Sequence, residues 1–204
     1  MKTALISDIH GNLDGLMAVL ADSEQQCCDR VLCLGDLVDG GPSSIEVVTL
    51  FEERSILCVQ GNHDEYPNAG LLQETEAYLQ ALPEAIVEGS VIYTHTSPRV
   101  KKSKIGNVIE AWNVFEETAW KRIFVGDVHI PLLFGQRCIE KVSAAAYPIP
   151  YGEEFMLDAA DRYIICPGAV GYSRDGYRWL RYAIYDDLRD SITFHAPDGP
   201  ILVF

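Results

Sequence analysis

The 204-residue chain has no long apolar run; its hydrophobic stretches are of strand length, too short for a bilayer-spanning helix. The first of them, Thr3-Ala-Leu-Ile-Ser7, is five residues long and leads straight into Asp8, which suits neither a secretory signal nor a membrane span. Positive charge is scarce: 16 Lys and Arg stand against 30 Asp and Glu, for a formal charge of −14. Phosphate backbones are bound mainly by clustered cations, so stable nucleic-acid binding is not expected. There is no Cys-x-x-Cys pair and hence no structural zinc motif. The six cysteines (27, 28, 33, 58, 138, 166) include two neighbours and three in predicted buried strands, a pattern of reduced thiols that points to a cytoplasmic protein. No Pro/Gly/Ser tract or charge block marks a linker, and no repeat is evident; with 48% hydrophobic residues the expectation is one domain over 1–204. Also absent are a Walker-type glycine loop and any Ser-His-Asp or Cys-His constellation.

What is present is sorted to one side. The apolar run Ile56 to Val59 ends at Gln60-Gly61, and Asn62-His63-Asp64 follows at once. The same design recurs: the run ending at Ser7 meets Asp8-Ile-His10, Val31 to Leu34 meets Gly35-Asp36, Val91 to Thr94 meets His95, and Ile123 to Val125 meets Gly126-Asp127-Val-His129. Four of the five histidines lie at or just past these ends and only His195 falls elsewhere. Satisfied core histidines would not sort this way. Open α/β sheets bind ligands at the carboxyl ends of their strands.

Between the runs the pattern turns helical. Leu13, Leu16, Met17 and Leu20 share one helix face that Asn12 can cap, and Pro42 with Ser43-x-x-Glu46 reads as the capping-box start of a helix that carries Ile45, Val48 and Phe51 toward the core. By residue 60 the order is β-α-β-α-β, which implies parallel strands with right-handed crossovers. A helix over 71–82 is stopped by Pro83, a strand at 91–94 follows, and Val108, Ile109, Trp112 and Phe115 form another helix face before a strand at 123–125. From Pro131 onward the alternation with helices ceases. Tyr147 to Gly152 reads as an extended loop with packing aromatics, 162–166 as a strand, and 179–185 with 191–195 as an antiparallel hairpin. A second sheet follows, and the fold class is α/β: a four-layer αββα sandwich of two mixed β-sheets flanked by helices.

Asp, His and Asn at converging strand ends offer carboxylate, imidazole and amide-carbonyl ligands, a set suited to Mn, Fe or Zn rather than Ca. Asp36, with two oxygens, can bridge a pair of ions that acidify a shared water and clamp a phosphoryl group. The basic run Arg99 to Lys104 begins four residues after His95; it reads either as a solvated loop or as an overhang that attracts anionic substrate.

The blocks Asp8-x-His10, Gly35-Asp36, Gly61-Asn62-His63-Asp64, His95 and Gly126-x-x-His129, in that order, resemble the calcineurin-like metallophosphoesterases. Pro167-Gly-Ala-Val-Gly171-Tyr-Ser-Arg174-Asp-Gly176 resembles a tail signature of the small bacterial and archaeal phosphodiesterase branch. The resemblance implies the four-layer sandwich, with a first ion held by Asp8, His10, Asp36 and His129 and a second by Asp36, Asn62, His95 and position 127. It implies that His63 contacts the scissile phosphate and protonates the leaving oxygen, with Asp64 orienting its imidazole; Asn62 and Arg174 are further candidates for substrate contact, Arg174 also reading as a structural ion pair. The cofactors implied are two divalent or mixed-valence ions, Mn²⁺ first, with Fe, Zn²⁺ or Ni²⁺ as alternatives. The partner is a small phosphorylated substrate, and a homo-oligomer is compatible with the chain.

Two departures narrow this. Phosphoprotein phosphatases and their tetraphosphatase relatives carry Gly-Asp-x-x-Asp-Arg-Gly and Gly-Asn-His-Glu, whereas here Gly40 replaces the Arg and Asp64 the Glu, which disfavours a protein phosphatase. Asp127 stands where the family usually has histidine; it reads either as a third carboxylate ligand that favours Mn²⁺ over Zn²⁺ or as a turn cap. The alternative to an enzyme is a catalytically weak metal-binding scaffold such as the retromer subunit of this fold, which lacks the histidine retained here as His63.

Overall fold

The computed structural model describes residues 1–68, 70–136 and 143–203. In chain order, β1 (Lys2–Ile6), α1 (Leu13–Gln25), β2 (Arg30–Cys33), α2 (Ser44–Glu53) and β3 (Leu57–Cys58) make the expected alternating unit. After it come α3 (Asn62–Glu65), α4 (Gln73–Ala81), β4 (Ala85–Glu88), β5 (Val91–Thr94), α5 (Val108–Glu117) and β6 (Arg122–Phe124). The remaining elements of the described residues are strands: β7 (Pro131–Gly135), β8 (Ala145–Ala146), β9 (Glu154–Met156), β10 (Tyr163–Pro167), β11 (Tyr182–Asp186) and β12 (Ser191–His195).

The strands form two mixed six-stranded sheets, ordered β3-β2-β1-β11-β12-β9 and β4-β5-β6-β10-β7-β8. Each has a parallel half, β3-β2-β1 in one and β5-β6-β10 in the other, continued by antiparallel strands. Because strand side chains alternate, each strand feeds two layers. Ala4, Ile6 and Cys33 pack with Leu16, Val19, Val48 and Phe51 of α1 and α2. Leu5, Leu32, Tyr93, Phe124, Tyr163 and Ile165 meet between the sheets, where Phe194 and Tyr185 of the final hairpin join them. Ile92, Ile123, Ile164 and Cys166 face Ala111, Val114 and Phe115 of α5. This is the four-layer arrangement, with the helices outermost.

Asn12 caps α1 by accepting from Gly15 N at 3.2 Å. Ser43 sits at the N-cap of α2 but makes no side-chain cap bond, so the capping box expected there does not form. β4 and β7 were not expected from the sequence. β4 is a largely exposed edge strand without a buried alternation, and β7 opens on a proline, tolerated because Pro131 is the strand's first residue. The aromatics of the 147–152 loop are packing groups: Tyr147 lies 5.2 Å from Phe155 and Tyr151 stacks edge-on to Trp179 at 6.2 Å. Cys138 lies outside the described residues; the other five cysteines are free thiols. Among the described residues no helix is long and apolar enough to cross a membrane.

Candidate metal centre

The carboxyl ends of the two parallel halves meet at one edge, and hydrogen bonds between chain ends lock them together. Asp8 N and Ile9 N donate to the carbonyls of Gly35 and Asp36, Gly126 N donates to His95 O, and Gly171 N to Asp8 O. Gly61 lies so close to Asp36 that a Cβ there would be 2.2 Å from Asp36 Oδ1 and 2.3 Å from Asp36 N, so only glycine fits between the ends of β2 and β3. Asp8, His10, Asp36, Asp39, Asp127 and His129 all adopt left-handed φ between 51° and 68°, strain of the kind that collects at functional sites.

Asp8, His10, Asp36 and His129, all buried, place one donor atom each within 4.8 Å of one another. Their tautomers follow from their neighbours. His10 Nδ1 faces the carbonyl oxygens of Val38 (3.1 Å) and Asp39 (2.8 Å), and His129 Nδ1 that of Tyr172 (2.8 Å). A carbonyl only accepts, so Nδ1 carries the hydrogen and Nε2 offers its lone pair inward. The two Nε2 atoms confront each other at 3.2 Å, and burial pushes His10 below its ordinary value, toward the neutral ring. His129 Nε2 is 3.1 Å from Asp8 Oδ1, an oxygen that is buried without a hydrogen bond. Facing lone pairs beside a bare carboxylate oxygen fit a cation between them.

On the other side of Asp36 lie His95 and Asn62. His95 Nε2 is 3.3 Å from Asp36 Oδ2 and 3.2 Å from Asn62 Oδ1, while Nδ1 faces Leu34 O at 2.6 Å. Asp36 Oδ2 is also 3.6 Å from His10 Nε2, so a single oxygen stands between the two imidazoles. Burial opposes a charge on His95, but Asp36 overrides it and raises the ring to about 10. In the ion-free protein a proton on Nε2 thus occupies a place where a metal ion would bind. Burial likewise opposes ionisation of Asp36, yet the His95 ring beside it holds its carboxyl below the usual carboxylate range.

Asp127 has its side chain 6% exposed and its Oδ1 2.6 Å from Lys104 Nζ, while its N–H donates to Asp8 Oδ2 at 3.2 Å. It borders a cavity of about 280 Å³ together with Asn62, His95, Lys102 and Lys104. The basic loop therefore does overhang the site. Arg174 also approaches: it donates to Asp127 O at 3.2 Å, and its guanidinium lies 5.7 Å from the Tyr172 ring centroid.

The expected role of Asp64 needs correction. Its carboxylate is fully buried and accepts from the backbone N–H groups of Asp36 (2.8 Å), Leu37 (2.8 Å) and Gly61 (2.9 Å). It ties β2 to β3 beneath the site and does not touch the His63 ring. Burial and the charge of Asp36 push it up to about 6 despite those donors. The carboxylate that holds the imidazole is Asp39, whose Oδ2 lies 2.9 Å from His63 Nδ1 and which also accepts from Asn68 N. His63 and Asp64 are successive residues of a helical turn, so their side chains diverge by about 100°. In the sequence Asp39 stands in Gly35-Asp-Leu-Val-Asp39-Gly, 24 residues before His63, and nothing local marks it as the partner of that imidazole. Tyr172, whose ring packs 4.3 Å from His129 and 5.0 Å from His10, had no signal in the sequence beyond its place in the glycine-rich tail.

A family model described as calcineurin-like phosphoesterase matches residues 1–151. An uncharacterized protein of Methanocaldococcus jannaschii is 31% identical over 209 residues, covering 90% of this chain and 82% of its own. The crystal structure of a metallophosphoesterase from Sphaerobacter thermophilus superposes with a TM-score of 0.86 at 32% identity, over 98% of this chain and 89% of that one. A symmetrical bis(5'-nucleosyl)-tetraphosphatase of Klebsiella pneumoniae is 43% identical over a shorter stretch of 67 residues, 31% of this chain and 24% of that enzyme's length.

Proposed function

The chain belongs to the calcineurin-like phosphoesterases, hydrolases of phosphate esters, and on that premise we propose that it cleaves phosphodiesters or small phosphorylated metabolites with two divalent ions bound. The observation that carries the reading is the donor set: Nε2 atoms of His10, His129 and His95 converge on Asp8 and Asp36, each ring fixed by a carbonyl at Nδ1. Asp8, His10, Asp36 and His129 would hold the first ion; Asp36, Asn62, His95 and Asp127 would hold the second. Bound there, the ions supply Lewis-acid polarisation of a phosphoryl oxygen and lower the pKa of water. The oxygen-rich second set favours Mn²⁺.

The chain's own residues supply the rest. His63 is partly exposed at the mouth of the site, its ring centroid 5.0 Å from that of His10 and its backbone N–H donating to Asp36 Oδ1 at 2.9 Å, while its imidazole belongs to neither donor set. Asp39 accepts from Nδ1 and fixes the ring, which leaves Nε2 as the atom that delivers a proton to the departing oxygen. A scaffold has no use for a held, solvent-facing imidazole, and this favours turnover. Steady-state assays of the purified protein with added Mn²⁺, against aryl phosphate mono- and diesters and a symmetrical dinucleoside tetraphosphate, test the reading. Ion-dependent hydrolysis with the diester preferred supports it; ion binding without turnover of any of the three supports the scaffold instead.

A further inference from the structure

The loop after β5 brings Lys102 and Lys104 to the edge of the cavity, and Lys104 onto Asp127. Lys102 is paired with Glu84 at 2.9 Å and Arg99 is held by Glu117, but Lys104 reaches Asp127 Oδ1 at 2.6 Å and lies 3.5 Å from Asp127 O. The pair is unequal: the Asp127 side chain is 6% exposed and that of Lys104 55%. Surface ion pairs contribute little, but this carboxylate is buried and cannot turn to water when its partner is lost. Asp127 is also fixed in place, with φ at 66° and its N–H on Asp8 Oδ2. Lys104, Asp127, Asn62 and His95 line the same cavity, so a group docked there meets the ammonium and the second donor set together.

We propose that Lys104 binds the anionic substrate in this cavity and shares Asp127 with the second ion, competing with that ion for the carboxylate while acting with it on the substrate. The proposal rests on the two-ion reading above. A dication arriving beside Asp127 is repelled by the ammonium already on Oδ1, and so the lysine weakens the second ion. An ammonium has three donors; Asp127 engages it through Oδ1 at 2.6 Å and, at the longer 3.5 Å, through its carbonyl oxygen, which leaves a donor of this half-exposed lysine for a phosphate oxygen entering the cavity. Lys104 is thus a specificity-determining contact that trades ion affinity for substrate affinity.

The test is calorimetric titration of the ion-free protein with Mn²⁺, then of the Mn²⁺-loaded protein with inorganic phosphate, for the wild type, Lys104→Met, Lys104→Arg and the loop-charge control Lys101→Met. In Lys104→Met the second Mn²⁺ equivalent should bind roughly tenfold tighter, from removal of a single charge about 5 Å from a double one in a water-like dielectric. The first equivalent should be unchanged, and phosphate should bind roughly tenfold more weakly through loss of a charge-assisted contact. Lys104→Arg and Lys101→Met should stay near the wild type. A second-ion affinity that is unchanged or weaker in Lys104→Met, or phosphate binding that does not fall, overturns the proposal while leaving metal-dependent hydrolysis intact. A wild type that binds no second equivalent overturns the two-ion reading itself.

Discussion

Replacing Asp39 by Asn should separate the proposed leaving-group role of His63 from ion binding. Asn is among the few residues that accept the left-handed φ of 68° found at this position, and its oxygen can still accept from Asn68 N, so the loop should keep its course. With that oxygen engaged, the amide nitrogen is turned toward His63 Nδ1, a donor where the ring needs an acceptor. What is lost is a charge-assisted hydrogen bond of 2.9 Å in a part-buried setting, worth about 1.5–3 kcal/mol. At 1.36 kcal/mol per decade this is about a 10- to 150-fold fall in kcat. The fall should appear with a diester whose leaving group is an alkoxide and nearly vanish with a nitrophenolate, which departs without a proton. Elemental analysis should find the ions undisturbed, because Asp39 lies outside both donor sets. Alkoxide-diester turnover within twofold of the wild type, at full ion content, would refute the dyad.

Asp64→Asn should behave differently: with one acceptor oxygen for three buried N–H donors, it should cost about 1–3 kcal/mol in urea unfolding and loosen the ions, with no dependence on leaving group. Gly61→Ala should destabilise by about 1–3 kcal/mol or more and reduce ion content, since its Cβ would overlap Asp36; a stable variant with full ion content would contradict the close approach. In the ion-free protein, His95 at about 10 lies above its ordinary 6.5, so its pairing with Asp36 stabilises fully below about pH 6.5 and that contribution is lost as pH rises through 10. Loading the second ion at pH 8 should accordingly release about one proton, read by calorimetry in buffers of different ionisation enthalpy; no release would place the ion elsewhere.

The β-α-β-α-β start, the two-sheet fold and the residues at the strand ends were legible because each apolar run is closed by glycine or directly by a polar ligand type, a signal local to five or six residues. β4 and β7 were not, since an exposed edge strand has no buried alternation and a strand opening on Pro131 reads as a break. Asp64 is adjacent to His63 in sequence but not in space, because α3 turns neighbouring side chains apart. Lys104 was visible only as part of a basic run. Its distinction from Lys102 lies in which acid each one finds, Asp127 or Glu84, and that depends on the loop's path across the sheet edge.

The claim on which all else depends is that ions gathered around Asp36 support hydrolysis. Protein dialysed against chelator and titrated with Mn²⁺, with bound ion and aryl diester hydrolysis followed in the same samples, tests it directly when run beside Asp36→Asn. No turnover is expected without ions; the wild type should bind two equivalents, with activity rising with the second, and Asp36→Asn should fold, hold neither ion and have no activity. Hydrolysis by the ion-free protein at the loaded rate, or an Asp36→Asn variant that keeps both ions and its activity, would contradict the claim.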